Sequence, residues 1–181
     1  MRWLIDPIDG THNYIRGIPL FGTLLALERD GELQVGVMSA PALRQRWLAW
    51  RGGGAWNREG RLSVSGVSTV GEAGIVYTSL LEIQASQSLP GVEAALRHAD
   101  YENAIGDFWG FGFVAEARAD AMLEGRVQPW DLAAPLILIE EAGGRMTTTA
   151  GERAFAIDGV AVATNGWIHA ELLDRLLAPG S

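Results

Sequence analysis

Short apolar runs separated by turn residues dominate the first third of the sequence. They predict strands over residues 3–5, 20–28, 33–40, 46–51 and 62–65, the first of them buried. Asp30-Gly31 is a hairpin turn signal between the second and third runs, and Pro41 ends the third. Short strands joined by turns of only a few residues are typical of an antiparallel sheet.

The pattern changes after Gly71 to alternating strands and helices. Strands are predicted over residues 74–78, 119–123 and 160–164, and helices over 90–99, 111–118, 131–142 and 168–177. Ser88 is the expected cap of the first helix, and Gly143-Gly144 ends the third in a left-handed turn. This alternation predicts an α/β layer. Because no repeat or long linker intervenes, residues 1–67 and 68–181 are expected to pack as one unit.

Composition and charge exclude several classes of protein. The 181 residues are 48% hydrophobic and carry a net charge of −8, which argues against non-specific binding to nucleic acid or to anionic membranes. The absence of cysteine excludes a disulfide scaffold, a thiolate zinc site and a cysteine nucleophile, and it fits the cytoplasm. The longest apolar run, residues 132–139, is far shorter than the ~18 residues of a membrane span. We therefore expect a cytoplasmic protein without nucleic-acid or membrane partners.

The densest chemistry lies directly after the first predicted strand, in Asp6-Pro7-Ile8-Asp9-Gly10-Thr11. Two carboxylates this close at a strand end suit Mg²⁺, which prefers oxygen ligands. Gly10 and Thr11 open a short helix whose free N–H groups favour an anion. Together these features suit metal-assisted phosphate hydrolysis. The alternative interpretation is an ordinary turn, because Asp-Pro and Asp-Gly are common in loops.

Three further acidic residues have both a functional and a structural interpretation. Asp131 opens the apolar helix, either as its N-cap or as a third carboxylate brought to the first two. Asp107 either caps the helix that follows or binds a cationic group of a substrate. Glu124 is either a solvated surface residue or part of a loop that lines the site.

These motifs together resemble the inositol monophosphatase family of Mg²⁺-dependent phosphatases. The run from Trp3 to Tyr14 is similar to the family's first signature, and Trp130-Asp131-Leu132-Ala133-Ala134, continuing to Gly144, is similar to its second. Weaker similarities are present at Gly52-Gly53-Gly54-Ala55-Trp56-Asn57 and Ala163-Thr164-Asn165-Gly166. The resemblance implies an α/β fold, the layered α-β-α-β-α sandwich of this family and of fructose-1,6-bisphosphatase, here without its N-terminal helices.

The resemblance also implies roles for individual residues. Mg²⁺ would be held by the side chains of Asp6, Asp9 and Asp131 and by the Ile8 carbonyl. Gly10 and Thr11 would bind the phosphate through their N–H groups, and the Thr11 hydroxyl would orient the attacking water. Asp107 and Glu124 would contact the alcohol portion of a small phosphorylated substrate. A homodimer is the assembly typical of the family.

Within the family the sequence is most similar to the histidinol-phosphatase branch. The similarity lies in Arg16-Gly17-Ile18-Pro19, Ser39-Ala40-Pro41-Ala42-Leu43 and Gly106-Asp107-Phe108. A carboxylate at residue 107 suits the cationic amine of histidinol phosphate, through a charge-assisted hydrogen bond. Inositol-1-phosphate and related sugar or nucleotide phosphates are the alternative substrates.

The sequence departs from the family at its start. Family members carry an N-terminal segment that supplies a metal-binding Glu and an acidic partner for the signature Thr, and residues 1–181 contain neither. We therefore expect the longer parent protein to be active and this chain to be feeble or inactive. The rival hypothesis is a non-catalytic remnant that binds a metal or a partner.

Overall fold

The computed structural model describes residues 1–85, 89–153 and 159–179, which form two sheets with helices between and outside them. The first sheet contains six strands in chain order, each antiparallel to the next. They are β1 (Arg2–Asp9), β2 (Gly22–Arg29), β3 (Glu32–Ala40), β4 (Gln45–Trp50), β5 (Gly54–Asn57) and β6 (Gly60–Arg61). The predicted antiparallel sheet is therefore confirmed.

The second sheet is mixed. Its strands are β7 (Gly74–Tyr77), β8 (Tyr101–Asn103), β9 (Ala121–Gly125), β10 (Arg145–Thr148) and β11 (Val160–Thr164). Their order in the sheet is β10, β11, β9, β7, β8. β7 runs parallel to both of its neighbours, whereas β11 is antiparallel to β9 and β10.

Helices fill the space between the sheets and cover the outer face of the second sheet. The helices are α1 (Thr11–Ile15), α2 (Leu80–Ala85), α3 (Val92–His98), α4 (Phe108–Ala115), α5 (Pro129–Glu141) and α6 (His169–Leu177). α4 and α5 share one apolar core with both sheets, and α2, α3 and α6 share a second core with the outer face of the second sheet. The α/β prediction is thus confirmed, and the division at residue 67 stays a prediction.

The central helix α5 lies unusually close to the first sheet. A Cβ added at Gly36 on β3 would lie 2.4 Å from Ile137 Cγ2 and 2.9 Å from the Ala134 carbonyl oxygen. The whole stretch from Leu132 to Ile139 is buried, so α5 has no polar face. The absence of a side chain at Gly36, opposite Ala134 and Ile137 of α5, therefore sets the separation of these two layers.

The other face of the first sheet remains open among the described residues. Trp3, Ile5 and Trp50 are 58%, 51% and 43% exposed, and β1 is an edge strand with only Leu4 buried of residues 3–5. The prediction of a buried first strand is therefore wrong, because its second face has no covering helix in the described part of the chain. The tryptophan side chains of this sheet divide between its two faces, since Trp47 is fully buried in the core.

The sequence pattern misplaced several boundaries. Residues 62–65 form no strand of the first sheet: the chain crosses there towards the second sheet, and the Val64 N–H donates to the Ala142 carbonyl at the end of α5. The helices predicted over 90–99 and 111–118 are α3 and α4, and the strand predicted over 119–123 is β9. The pattern missed α2, β5, β6, β8 and β10. The predicted cap Ser88 lies outside the described residues.

Several residues of the family-like motifs make hydrogen bonds that hold loops against neighbouring helices and strands. The Glu141 carboxylate accepts hydrogen bonds from the N–H groups of Gly52 and Gly54, both at 2.9 Å, and so holds the turn before β5 against α5. Asn165 donates to Ser65 and Val67 and accepts from the N–H groups that precede α6.

Within the described residues, no helix has the length and apolar character needed to cross a membrane.

Candidate active site

The first two carboxylates meet because β1 is irregular between them. In a regular strand, residues three apart face opposite sides. The pairing of β1 with β2 shifts register between Asp6 and Asp9, which pair with Leu24 and Gly22. Pro7 has no N–H for the ladder, and the Ile8 N–H instead donates to Asp6 Oδ1 at 2.9 Å. The bulged strand end therefore lets both carboxylates reach one point.

Helix α5 brings the third carboxylate from the opposite half of the chain. One carboxylate oxygen each from Asp6, Asp9 and Asp131 lies within 4.8 Å of the other two, a set of ligand atoms that could hold a metal ion. Asp131 also accepts a hydrogen bond from the Gln128 N–H at 2.8 Å, closing a capping box at the start of α5. The N-cap of α5 is Gln128, so the interpretation of Asp131 as the N-cap is wrong; Asp131 is the third helical residue, which supports the start of α5 and also lies beside the other two carboxylates.

The turn between β1 and α1 adds a group of backbone and hydroxyl donors. Gly10 has φ 72°, and a Cβ there would lie 2.7 Å from the Leu20 carbonyl oxygen, so glycine is required. Thr11 begins α1, and its hydroxyl donates to the Ile8 carbonyl at 2.7 Å. The first N–H groups of a helix have no acceptor within it, so this turn favours an anion.

Asp107 precedes α4 but does not cap it with its side chain. Its φ of 55° and ψ of −162° lie in a region that non-glycine residues rarely adopt, and its side chain makes no capping hydrogen bond. The carboxylate instead accepts a hydrogen bond from the Asn13 side-chain amide at 3.0 Å. The interpretation of Asp107 as a simple cap is therefore wrong, and the carboxylate is available at the site.

Glu124 lies in the buried strand β9 with a relative exposure of 7%. Its Oε2 atom has no hydrogen-bond partner among the described residues. Burial raises the pKa of the Glu124 carboxyl well above its usual range, against a lowering contribution from the nearby Thr78 hydroxyl. The interpretation of Glu124 as a solvated surface residue is wrong, since β9 is covered on both faces.

A single cavity of about 370 Å³ connects all of these groups. It is lined by all eight predicted site residues, namely Asp6, Ile8, Asp9, Gly10, Thr11, Asp107, Glu124 and Asp131. Sequence reasoning missed Thr78, Glu82 and Arg126 in the same cavity. A signal for Glu82 was present: Ser79-Leu80-Leu81-Glu82 is a capping-box pattern, and the Glu82 N–H lies 3.4 Å from the Ser79 hydroxyl.

The electrostatics of the cavity are those of crowded carboxylates. Burial, and then the charge of Asp107, raises the pKa of the Asp9 carboxyl well above its usual range. Burial and the neighbouring Asp6 raise the pKa of Asp131 to about 6. Burial, and then the charge of Glu82, raises the pKa of Asp107. The cavity therefore favours protons or other cations at neutral pH.

Comparison with known proteins identifies the family to which this arrangement belongs. The profile of the inositol monophosphatase family matches residues 1–179. The chain is 44% identical to a histidinol-phosphatase of Mycobacterium tuberculosis, over 98% of this chain and 70% of that protein. It is 42% identical to a histidinol-phosphatase of Streptomyces coelicolor, over 97% of this chain and 69% of that protein.

The architecture agrees with a solved structure from the same family. The chain superimposes on the inositol monophosphatase of Thermotoga maritima with a TM-score of 0.85 and 32% identity, over 96% of this chain and 67% of that one. The layered fold suggested by the signatures is thereby confirmed. On the sequence match and the shared architecture, the chain belongs to the inositol monophosphatase family.

Proposed function

We propose that this protein is a Mg²⁺-dependent phosphomonoesterase whose substrate is histidinol phosphate. The observation that carries the substrate assignment is the Asp107 carboxylate, which lines the cavity and makes no capping hydrogen bond. A carboxylate at that place selects an ammonium group over a neutral polyol. The two histidinol-phosphatases with 44% and 42% identity support the same substrate.

The residues at the strand end suit a divalent cation. Three carboxylates lie within 4.8 Å of one another, and the described ion pairs include no Arg or His partner for any of them. Asp6, Asp9 and Asp131, with the Ile8 carbonyl, would hold Mg²⁺ through oxygen alone. When bound, Mg²⁺ supplies a water of lowered pKa and charge stabilisation for the phosphate and the leaving alkoxide.

The chain's own groups then orient the reactants. The Thr11 hydroxyl donates a hydrogen bond to the Ile8 carbonyl. The Thr11 Oγ1 atom is therefore free to accept a hydrogen bond from the attacking water. The N–H groups of Gly10 and Thr11 bind the phosphate, and Asp107 and Glu124 bind the alcohol portion. Water attacks phosphorus directly in this proposal, without a covalent intermediate on the enzyme.

Release of inorganic phosphate from histidinol phosphate and from inositol-1-phosphate, with and without Mg²⁺, tests the proposal. We expect Mg²⁺-dependent release that favours histidinol phosphate, lost in Asp9→Asn and retained in the surface control Asp174→Asn. A preference for inositol-1-phosphate would overturn the substrate while leaving the reaction class intact. The rate of release from the better substrate shows whether residues 1–181 are active or feeble.

The rival function, metal binding without hydrolysis, requires a measurement of binding itself. Calorimetric titration of Mg²⁺ into the wild-type chain and into Asp9→Asn separates the two cases. Mg²⁺ binding without phosphate release from either substrate supports the non-catalytic alternative for this chain, whereas binding with release excludes it. Sedimentation velocity tests whether the chain forms the expected homodimer. The cytoplasmic location stays a prediction.

A further inference from the structure

A hydrogen bond between two distant parts of the chain fixes the substrate side of the cavity. The Asn13 amide nitrogen on α1 donates to Asp107 Oδ2 and to the Leu20 carbonyl, both at 3.0 Å. A primary amide has two N–H donors, so both are used. Asn13 is thereby held between the loop before β2 and the residue that opens α4.

The Asp107 backbone needs such a contact to keep its place. Its φ and ψ lie in a region that is essentially restricted to glycine, and its side chain forms no cap that would compensate. Strained conformations of this kind persist where surrounding contacts over-determine them, and they concentrate at functional sites. The side-chain hydrogen bond from Asn13 is such a contact.

The carboxylate also lies directly against the turn that begins α1. A Cβ added at Gly10 would lie 3.3 Å from Asp107 Oδ2. The same turn therefore supplies the N–H groups proposed for the phosphate and, through Asn13, the support for the carboxylate. A displaced α1 would move both parts of the substrate site together.

We propose that Asn13 is a positioning residue for Asp107 and thereby selects amino-alcohol phosphates over neutral polyol phosphates. The inference rests on the proposed function, because it assigns Asp107 to the ammonium group of the substrate. With Oδ2 held by Asn13, the second carboxylate oxygen is presented to the ligand in one orientation. Without Asn13 the Oδ2 atom loses this donor, so the orientation of the carboxylate is no longer fixed by it. A charge-assisted hydrogen bond depends on such preorganisation.

A double-mutant cycle on substrate preference tests the inference. Asn13→Ala, Asp107→Asn and the double variant are compared with wild type on histidinol phosphate and inositol-1-phosphate, with Mg²⁺ present. The measured quantity is the ratio of kcat/KM for the two substrates, or of Kd by calorimetry if the chain does not turn over. We expect Asn13→Ala to reduce the wild-type ratio about tenfold, and to have no further effect when Asp107 is already Asn.

Matched controls separate positioning from damage to the fold. General damage lowers activity on both substrates and leaves their ratio unchanged. Asn103→Ala removes an exposed amide that donates to the Tyr101 hydroxyl outside the cavity, and it is expected to retain the wild-type ratio. If Asn13→Ala does not fold, Asn13→Ser replaces it with the same expected reduction.

The outcomes distinguish the inference from the proposed function. A wild-type chain without preference for histidinol phosphate overturns the proposed substrate and the inference together. A wild-type preference that Asn13→Ala retains overturns the inference alone. A further loss of preference from Asn13→Ala in the Asp107→Asn background shows that Asn13 acts independently of Asp107, and it also overturns the inference.

Discussion

The three close carboxylates of Asp6, Asp9 and Asp131 should destabilise the metal-free protein. Replacing Asp131 by Asn should remove part of this destabilisation. Burial and the neighbouring Asp6 raise the pKa of Asp131 from its ordinary value of 3.8 to about 6. Each unit of that interval corresponds to 1.36 kcal/mol, which sets an upper limit of about 3 kcal/mol. Asp131 is partly exposed to solvent, so screening reduces the expected effect to about 1–2 kcal/mol.

The sign of the effect follows from proton linkage. The folded state has the higher pKa, so it binds the proton more tightly than the unfolded state does. The charged carboxylate therefore destabilises the fold above about pH 6, and the penalty disappears as the pH falls from about 6 towards 3.8. Asparagine keeps an oxygen acceptor for the Gln128 N–H, so the cap of α5 is retained.

Urea unfolding in EDTA, between pH 7.5 and pH 4, measures this difference. We expect Asp131→Asn to be about 1–2 kcal/mol more stable than wild type at pH 7.5 and about equal to it near pH 4. Titrating groups remote from the cavity cancel in the difference between variant and wild type, and relief of the raised pKa values of Asp9 and Glu124 acts in the same direction as the change at Asp131. Asp174→Asn, an exposed change on α6, is the control and should show no such trend.

Addition of Mg²⁺ should reverse the order of stability. An ion that binds only the folded state stabilises it by mass action, and Asp131→Asn removes one of the proposed metal-binding carboxylates. Wild type should then become the more stable protein at pH 7.5. A variant that is less stable than wild type in EDTA, or a difference that does not change with pH, would refute the electrostatic reasoning.

Three further changes test the packing, a buried histidine and the open sheet face. Gly36→Ala places a Cβ 2.4 Å from Ile137 Cγ2, so we expect a loss of about 1–3 kcal/mol in urea unfolding; an unchanged midpoint would contradict the close approach. Burial lowers the pKa of His169 to about 4, so stability falls as the pH drops from 6.5 towards 4, and His169→Gln should flatten that part of the Tm profile. Changing Trp3 and Ile5 to Thr should reduce self-association in sedimentation velocity with little change in Tm; undiminished association would show that this face is not responsible.

The local part of the site was predictable from sequence because its residues are neighbours in the chain. Asp6, Asp9, Gly10 and Thr11 lie within six residues at a strand end, and the structure keeps them together. That both carboxylates face one point depends on the register shift in β1, for which Pro7 was the only local signal. Turn chemistry alone therefore leaves two interpretations of residues 6–11 open, a metal-binding phosphate site and an ordinary turn.

The residue pattern gave the distant acidic residues both a structural and a functional interpretation, and the family resemblance favoured the functional one. Asp131 joins the other two carboxylates because α5 is buried between two sheets, and periodicity carries little information for a helix that is apolar all round. The same difficulty shifted the predicted start of α4 from Phe108 to residue 111. Glu82 was missed because the short α2, with one buried residue, produces only a weak periodic pattern.

The error at β1 has a different physical cause. An apolar run such as residues 3–5 predicts burial on both faces of the sheet, and the Trp3 and Ile5 side chains occupy the face that α4 and α5 do not cover. Which face receives a neighbouring layer depends on the rest of the architecture. The sequence of a strand specifies how much apolar surface it presents, but not which element covers it.

Asp131 shows why a structural role and a functional role of one residue need not exclude each other. A metal ligand must be held still, and the side chain that closes a capping box is already fixed by the helix it caps. The Gln128 N–H fixes Asp131 Oδ2 at 2.8 Å, while the close approach of α5 to β3 fixes the helix itself. The third carboxylate thus takes its position from core packing more than 90 residues along the chain from Gly36. A change in that packing, far from the cavity, is therefore expected to act on metal affinity as well as on stability.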